Sequence, residues 1–293
     1  MATETDEAAG YDPNLAPKLL AEAARLIQAF SFAGAHVTVV GGLVPGLLVP
    51  VLDPGIEPHV GTRDLDLCLS VALVDGDVGN YERLEACLKK AGFQMTRDDA
   101  QASISWRWVG GLDTQITVEF FCPAAPGRLS GRLHRPGGVV GGKLSALVLE
   151  TGALIDADTT ERSCEVILPG NEGKATVPIR VTNLAGYLAA KTDALKRRSK
   201  NKDAYDVVWL LEAWPGGPAQ SAAVARASPI FADVAFKKLI SELGEQFKDI
   251  DAVGARRFSR FMSDDAADPD ASAQRAVSVV KAFLSKLWGL KTN

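Results

Sequence analysis

The chain contains 293 residues, of which 47% are hydrophobic and 23% are charged, and it has a formal net charge of −4. This length allows one large domain or two smaller ones with an ample core, and the mildly acidic balance excludes a surface that is basic throughout, so any contact with nucleic acid must be local. The N-terminal residues lack the basic and apolar regions of a secretory signal, and no apolar run reaches the roughly 18 residues of a membrane span. We therefore expect a protein without membrane association.

The 4 cysteines are scattered along the chain, with neither CxxC spacing nor a histidine at ligand spacing. This pattern is typical of buried thiols in a reducing compartment rather than of a zinc site or a disulfide framework. We therefore expect a cytoplasmic protein.

Hydrophobic spacing predicts alternating helices and strands in the first half of the chain. A loose tail over residues 1–13 precedes this region. The predicted helices cover residues 14–30, 43–49, 79–91 and 144–154. The predicted strands cover residues 36–40, 62–70, 103–109, 114–121, 163–168 and 175–181. Residues 123–142, rich in glycine, proline and arginine, are predicted to form a loop.

The second half of the chain is predicted to be mainly helical. Residues 183–198 and 202–214 have helical spacing, residues 215–228 are small and are predicted to form a linker, and the remainder to about residue 290 is again helical. This order of elements predicts a mixed α/β (α+β) domain over residues 14–182, followed by a helical domain over residues 183–293.

The strand predicted over residues 62–70 places two carboxylates on one face. Side chains alternate across a strand, so Asp64 and Asp66 face one way while the intervening leucines face a core. Carboxylates one strand repeat apart, about 7 Å, can bracket a divalent metal, and like charges this close are costly unless a cation or a proton offsets them. The alternative is a pair of solvated aspartates on an amphipathic strand.

Glu119 is the candidate for a third carboxylate in this cluster. It lies on the polar face of the strand predicted over residues 114–121, between apolar neighbours. If this strand lies beside the one with Asp64 and Asp66 and their polar faces align, the three carboxylates form one cluster. The alternative is a glutamate on an edge strand.

Gly41 and Gly42 follow a predicted strand and precede a predicted helix. Paired glycines let the backbone bend sharply and approach a ligand, with amide N–H groups left to hold an anion. Such a turn also occurs for purely structural reasons.

These features form one ordered pattern along the chain. It consists of Gly41-Gly42, Thr62-x-Asp64-Leu65-Asp66 and Glu119. The pattern resembles the signature of the polymerase-β-type nucleotidyltransferases. The resemblance implies a nucleotidyltransferase fold, in which the glycine turn and Thr62 hold the NTP triphosphate and three carboxylates bind two Mg²⁺ ions. The long interval between glycines and aspartates implies an inserted loop over residues 50–61.

The first predicted helix of the second half carries Lys191 within an apolar stripe, so its ammonium must either reach solvent along the surface or enter a cleft with an anionic partner. Charged residues continue from it at fixed spacing. The spaced residues are Lys191, Ala194, Arg198, Lys202, Asp203, Asp206 and Val207. This string resembles the AbiEii/MenT-like nucleotidyltransferases, described as toxins of bacterial toxin–antitoxin and abortive-infection systems. The resemblance covers residues 36–212.

The AbiEii resemblance implies roles for the charged residues. Lys191 would contact the nucleotide phosphates, with Arg198 and Asp203 also at the nucleotide. Asp206 would complete the catalytic centre, and Asp203 competes for that role. The alternative is a charged helical hairpin held by ion pairs four residues apart.

Further patterns are weaker. Residues 137–144 resemble a P-loop, but Leu144 stands where a serine or threonine would bind Mg²⁺, so we expect at most a loop whose Lys143 touches phosphate. The basic run over residues 196–202 suits either a polynucleotide backbone or a solvated helix end. The histidines show no partner geometry, and no catalytic role is assigned to them. They are His36, His59 and His134.

The resemblance implies transfer of a nucleoside monophosphate from an NTP to an acceptor, with release of pyrophosphate. Asp64 and Asp66 would hold one Mg²⁺ ion, and a second ion, Mg²⁺ or Mn²⁺, would be shared with Glu119, which could instead be the base. The implied acceptor is RNA, especially a tRNA 3′ end, and the implied partner is a cognate antitoxin. The alternatives are a protein or small-molecule acceptor, as for antibiotic-modifying enzymes, a non-catalytic member of the fold, and an antitoxin-type partner.

Overall fold

The structure is a computed structural model and describes most of the chain. The described residues are 7–12, 14–32, 34–70, 79–97, 103–135, 144–263 and 268–289. Most of the P-loop-like segment, including Lys143, lies outside these ranges, as does part of the predicted tail. Within the described part of the chain, no helix is both long enough and apolar enough to cross a membrane.

The chain divides into two compact units, each built from separate stretches. The first, here the α/β unit, comprises Asn14–Val44 and Gly61–Thr182. The second, here the helical unit, comprises Met1–Pro13, Pro45–Val60 and Asn183–Asn293. The loop predicted over residues 50–61 therefore belongs to the helical unit, except for Gly61.

A mixed sheet forms the centre of the α/β unit. Its strands are β1 (Val37–Val40), β2 (Asp64–Leu69), β3 (Gln94–Arg97), β4 (Ser103–Gly110), β5 (Ile116–Pro123), β6 (Leu133–His134), β7 (Ala146–Leu149), β8 (Thr159–Leu168) and β9 (Gly173–Thr182). The main path runs β3-β4-β5-β2-β1-β9-β8, with β7 beside β5 and β6 beside β7. The pairs β2–β5, β5–β7 and β1–β9 are parallel, and the other pairs are antiparallel.

The core of the α/β unit lies on the apolar face of β2. The three leucines of this strand are completely buried, whereas Asp64 and Asp66 are half-buried. Phe30 of the first helix and Phe120 of β5 are also fully buried, with ring centroids 6.3 Å apart. The predicted strand is confirmed over Asp64–Leu69, with burial that alternates as far as Leu67, whereas Cys68 is also buried. The two carboxylates lie on the face of β2 opposite to this core.

The helices differ in number between the two units. Those of the α/β unit are α1 (Leu15–Phe32), α3 (Gly79–Lys90) and α4 (Gly152–Ala157). A 3₁₀ turn over Gly41–Leu43 leads from β1 into α2 (Val44–Leu48), with Pro45 in its first turn as predicted. Those of the helical unit are α5 (Leu184–Arg197), α6 (Lys202–Ala213), α7 (Gly217–Ala227), α8 (Val234–Gln246), α9 (Val253–Phe261) and α10 (Pro269–Trp288).

The helix predicted over residues 144–154 is wrong. The structure instead forms β7 and then α4. Burial alternates along β7, with Ala146 and Val148 buried and the residues after each of them half-buried, which is the period of a strand. A short apolar run fits either period, and the parallel pairing of β7 with β5 decides between them.

The linker predicted over residues 215–228 is also wrong, because this segment contains α7. Its small residues bury one face, formed by Ser221, Ala222 and Ala225. Alanine has the highest intrinsic helix propensity, and Pro218 in the first turn suits a helix start. The described residues therefore form a mixed α/β arrangement followed by a second half that is mainly helical.

Candidate functional site

The parallel pairing of β2 with β5 aligns the polar faces of the two strands. Asp66 lies opposite Glu119, and Asp64 lies opposite Thr117. One carboxylate oxygen from each of Asp64, Asp66 and Glu119 lies within 4.8 Å of the other two. The condition that the sequence set for one acidic cluster is therefore met, and we call these three residues the acidic triad.

Gly41 makes room for the triad. It follows Val40, which pairs with Asp66 in the antiparallel β1–β2 ladder. A Cβ atom at Gly41 would overlap the carboxylate of Asp66, and its φ of +72° lies in the left-handed region that favours glycine. Glycine is thus needed here for its backbone conformation and for the absence of a side chain.

Thr62 orients the first aspartate of the triad. Its hydroxyl is buried and donates a hydrogen bond to Oδ1 of Asp64 at 2.7 Å. The phosphate contact that the resemblance implies for Thr62 stays a prediction, whereas its contact with Asp64 explains why a hydroxyl residue stands two positions before the aspartate.

Arg107 is a residue of this site that the sequence reasoning missed. It lies directly opposite Glu119 in the antiparallel β4–β5 ladder. Its Nε donates to Oε1 of Glu119 at 2.7 Å, and its Nη2 contacts the same oxygen. Both residues lie on predicted strands, over residues 103–109 and 114–121, but only the register of the observed ladder places one opposite the other.

The donor set of the triad fits a divalent metal ion. Carboxylate oxygens are the ligands that Mg²⁺ and Mn²⁺ prefer, and three of them converge here from two adjacent strands. Three like charges within this distance repel one another unless cations offset them. The triad residues Asp64, Asp66 and Glu119 are therefore suited to hold such an ion.

A second charged cluster lies in the helical unit, centred on the completely buried Asp206 of α6. Lys191 Nζ lies 2.6 Å from its Oδ2, and Lys202 Nζ lies 2.6 Å from its Oδ1. His59 Nε2 also lies 2.9 Å from Oδ1 of Asp206. These contacts give Asp206 a structural role within the helical unit, and its part in catalysis stays a prediction.

Asp203 extends this cluster along α6. Its Oδ1 accepts a hydrogen bond from Lys191 Nζ at 2.9 Å, and its Oδ2 accepts one from Arg198 Nε at 2.7 Å. One network thus joins four residues of the motif identified in the sequence, namely Lys191, Arg198, Asp203 and Asp206. We call this network, together with Lys202 and His59, the buried charge cluster.

The charges in this cluster support one another. Burial opposes ionisation of Asp206, but the ammonium groups of Lys191 and Lys202 outweigh it and hold the pKa of Asp206 well below its usual value. Burial likewise opposes the charged form of Lys191, yet Asp203 and Asp206 raise the pKa of Lys191 well above its usual value. Lys191 is therefore a permanent cation held by two carboxylates.

The segment before Gly61 is anchored on α6. The backbone N–H of Val60 donates to the Tyr205 hydroxyl at 3.1 Å, and Trp209 Nε1 donates to the carbonyl of Glu57 at 2.9 Å. His59 lies between these contacts and packs edge-on against Trp209. The expectation that His59 has no partner geometry is therefore wrong. Its partners lie about half the chain away in sequence, so local spacing did not indicate them.

His59 should make stability depend on pH. Burial lowers its pKa from 6.5 to about 4, so between these values the unfolded state binds a proton that the folded state does not. We expect the free energy of unfolding to fall by about 3 kcal/mol as the pH drops from 7 to 4, with no further contribution below. Urea titrations across this range should show the slope in the wild type and in the exposed His36→Gln control, but not in His59→Gln. The same slope in His59→Gln would contradict the assignment.

The basic run that begins in the last turn of α5 is largely paired with acids of the helical unit. Lys196 Nζ lies 2.7 Å from Glu242, and Arg197 Nε lies 2.8 Å from Asp193. With Arg198 on Asp203 as well, these side chains match the solvated helix end better than an open track for a polynucleotide backbone.

The chain matches a known protein family. The family model described as "Nucleotidyl transferase AbiEii toxin, Type IV TA system" matches residues 57–279. None of the curated proteins matches the chain significantly.

The chain is also similar to solved structures. An antigenic nucleotidyltransferase-like protein from Paracoccidioides brasiliensis is 15% identical, with a TM-score of 0.45, and the match covers 83% of this chain and 94% of that one. The protein JHP933 from Helicobacter pylori is 10% identical, with a TM-score of 0.40 and 95% of both chains covered. These similarities are weak, and the assignment rests on the family model.

The matched region includes both the acidic triad and the buried charge cluster. Since it spans most of the sequence, the chain belongs to the AbiEii nucleotidyltransferase toxin family.

Proposed function

We propose that this transferase moves a nucleoside monophosphate from an NTP to the 3′ end of an RNA such as a tRNA. We also propose that the reaction depends on a divalent metal ion. The observation that supports this proposal most directly is the convergence of Asp64, Asp66 and Glu119 beside the Gly41 turn. Family membership supplies the reaction class, and it implies a nucleotide substrate and a cognate antitoxin.

In this proposal Asp64, Asp66 and Glu119 hold two Mg²⁺ ions, for which Mn²⁺ can substitute. Such ions, when bound, offset the charge of the triphosphate and lower the pKa of an attacking hydroxyl. The protein's own contribution is to fix the ligands: Thr62 holds Asp64, and the β2–β5 ladder holds Asp66 beside Glu119. Glu119 is assigned here to the metal rather than to the role of base.

The remaining residues are assigned to the nucleotide. The backbone amides of Gly41 and Gly42 contact phosphate oxygens, and Thr62 contributes its backbone amide, because its hydroxyl proton is donated to Asp64. Lys191 is assigned the main cationic contact to the phosphates, because two carboxylates keep it charged in spite of its burial. Arg198 and Asp203 act with it.

Asp206 is assigned a supporting role in catalysis, because its carboxylate pairs with Lys191 and fixes the position of the Lys191 ammonium group. The ion pair supports this assignment, because the carboxylate lies against the amine and is itself completely buried.

The acceptor is the part of the proposal that rests on family resemblance alone. A protein or a small molecule is the alternative acceptor. Because side chains of the basic run over residues 196–202 pair with acids, this run does not favour a surface that binds a long stretch of RNA backbone. We therefore assign recognition to the RNA end rather than to an extended backbone.

The experiment that tests the acceptor uses each of the four NTPs, labelled at the α-phosphate, with Mg²⁺ and either total RNA or cell protein. We expect label in RNA that resists protease and is lost with ribonuclease. Periodate oxidation of the RNA, which destroys the 3′-terminal diol, should prevent labelling. Label in the protein or small-molecule fraction would assign the alternative acceptor. Expression of the chain alone should arrest growth, and Asp66→Asn should relieve the arrest.

A further inference from the structure

Arg107 occupies a specific position relative to the acidic triad. Register pairing places Arg107, Glu119 and Asp66 side by side on β4, β5 and β2, so the guanidinium stands at one end of a row of acids. Its Nε and Nη2 both reach the same oxygen of Glu119. The side chain of Glu119 is 10% exposed, whereas that of Arg107 is 43% exposed. The guanidinium therefore reaches this carboxylate from the solvent side.

A guanidinium and a divalent ion compete for the same carboxylate. Both are cations, so a metal ion among the triad oxygens repels a guanidinium that remains on one of them. An ion pair with one partner this exposed contributes little to stability, because water screens it. Loss of the Arg107–Glu119 ion pair to a metal ion therefore lowers the free energy of unfolding only slightly.

The neighbouring aromatic residues give Arg107 a second contact. Its guanidinium carbon lies 5.5 Å from the ring centroid of Trp106, a distance at which a cation is attracted to the ring face. Trp106 in turn packs against Phe121 of β5, with ring centroids 6.1 Å apart. The ring therefore offers the guanidinium a contact other than Glu119.

We propose that Arg107 is an exchangeable counter-ion of the triad: it neutralises Glu119 before metal binds, gives way to the metal ion, and then binds a phosphate of the nucleotide. The proposal rests on the proposed function, because it presumes that the triad binds metal. Arginine suits the second role since its planar donors match phosphate oxygens two at a time. Arg107 is thus assigned opposite effects on two ligands, weakening metal binding and strengthening nucleotide binding.

The test measures both affinities on the full chain. Mn²⁺ alone is titrated first, and free Mn²⁺ is followed by its electron paramagnetic resonance signal. We expect Arg107→Gln to bind Mn²⁺ about tenfold more tightly than the wild type, since a competing charge-assisted contact is removed. A non-hydrolysable NTP analogue is then titrated at saturating Mn²⁺, where Arg107→Gln should bind about tenfold more weakly.

Arg180→Gln is the matched control, because Arg180 lies in the same unit, is 40% exposed and pairs with Asp156 at 3.2 Å. It should leave both affinities unchanged. Arg107→Lys keeps the positive charge but not the planar donors, so its affinity for Mn²⁺ should be close to the weaker affinity of the wild type. This variant also keeps the proposal testable if the glutamine variant does not fold.

An unchanged or weaker affinity of Arg107→Gln for Mn²⁺ would overturn the proposal, because it is the result of an arginine that merely positions Glu119. Unchanged nucleotide affinity would overturn the second role. If the wild type binds Mn²⁺ no better than Asp66→Asn does, the failure lies in the proposed function and not in the assignment of Arg107.

Discussion

Asp66→Asn should reduce nucleotide incorporation by at least about a thousandfold, because the charge stabilisation that bound metal supplies in such reactions is worth several kcal/mol. Asp66 lies between Glu119 and Val40 in the sheet, and the absence of a side chain at Gly41 leaves room for its carboxylate. Asparagine has nearly the same shape, so the substitution removes charge without creating a cavity. The measurement is the initial rate of α-labelled nucleotide transfer at saturating Mg²⁺.

The fold should survive this substitution. Asparagine fills nearly the same space as aspartate, so the melting temperature without metal should stay close to that of the wild type. Glu172→Gln, on an exposed turn of the same unit, removes the same charge away from the triad and should keep wild-type activity. Activity of Asp66→Asn within about tenfold of the wild type would contradict the role of the triad.

Asp206→Asn should lower the free energy of unfolding by about 3–5 kcal/mol at neutral pH, since removal of one partner leaves buried charges uncompensated. The substitution takes a carboxylate from Lys191 and Lys202, both of which are themselves buried. Because the pKa of Asp206 is held well below its usual value, its stabilisation is present above about pH 4 and is lost as the pH falls further. Urea denaturation of both proteins at pH 7 measures the difference.

The matched control is Asp193→Asn on α5. Asp193 pairs with Arg197, which is 54% exposed, and pairs of this kind contribute less than about 1 kcal/mol. A loss for Asp206→Asn as small as that of the control would show that the buried charge cluster does not stabilise the helical unit.

Local patterns were enough to predict the triad but not the contacts around it. Strict alternation placed Asp64 and Asp66 on one face of β2, and alternation in the next predicted strand placed Glu119 on its polar face. What the patterns left open was whether the strands are neighbours, because pairing is decided by the whole sheet. Arg107 was missed for the same reason, since its position opposite Glu119 follows from the register of β4 and β5.

His59 shows a different limit. Its partner Asp206 is 147 residues away in sequence, and the segment that carries His59 has no regular spacing of its own. No local pattern indicates such a contact. The two wrong elements, over residues 144–154 and 215–228, share a cause of this kind, because short or small-residue segments take the structure that packing imposes on them.

Gly41 and Gly42 precede residues 57–279, which the family model matches. The place of Gly41 in the site is instead supported by geometry, because its backbone lies against Asp66. The fit between this turn and the triad is therefore independent of the family assignment.

The central claim, that the triad serves transfer of a nucleoside monophosphate, is tested most directly by the position of the label. The protein is incubated with Mg²⁺, RNA and an NTP labelled either at the α-phosphate or at the γ-phosphate. We expect α-label in the RNA, γ-label in released pyrophosphate, and neither outcome with Asp66→Asn. Transfer of the γ-label to the RNA, or equal α-labelling by Asp66→Asn, would contradict the claim.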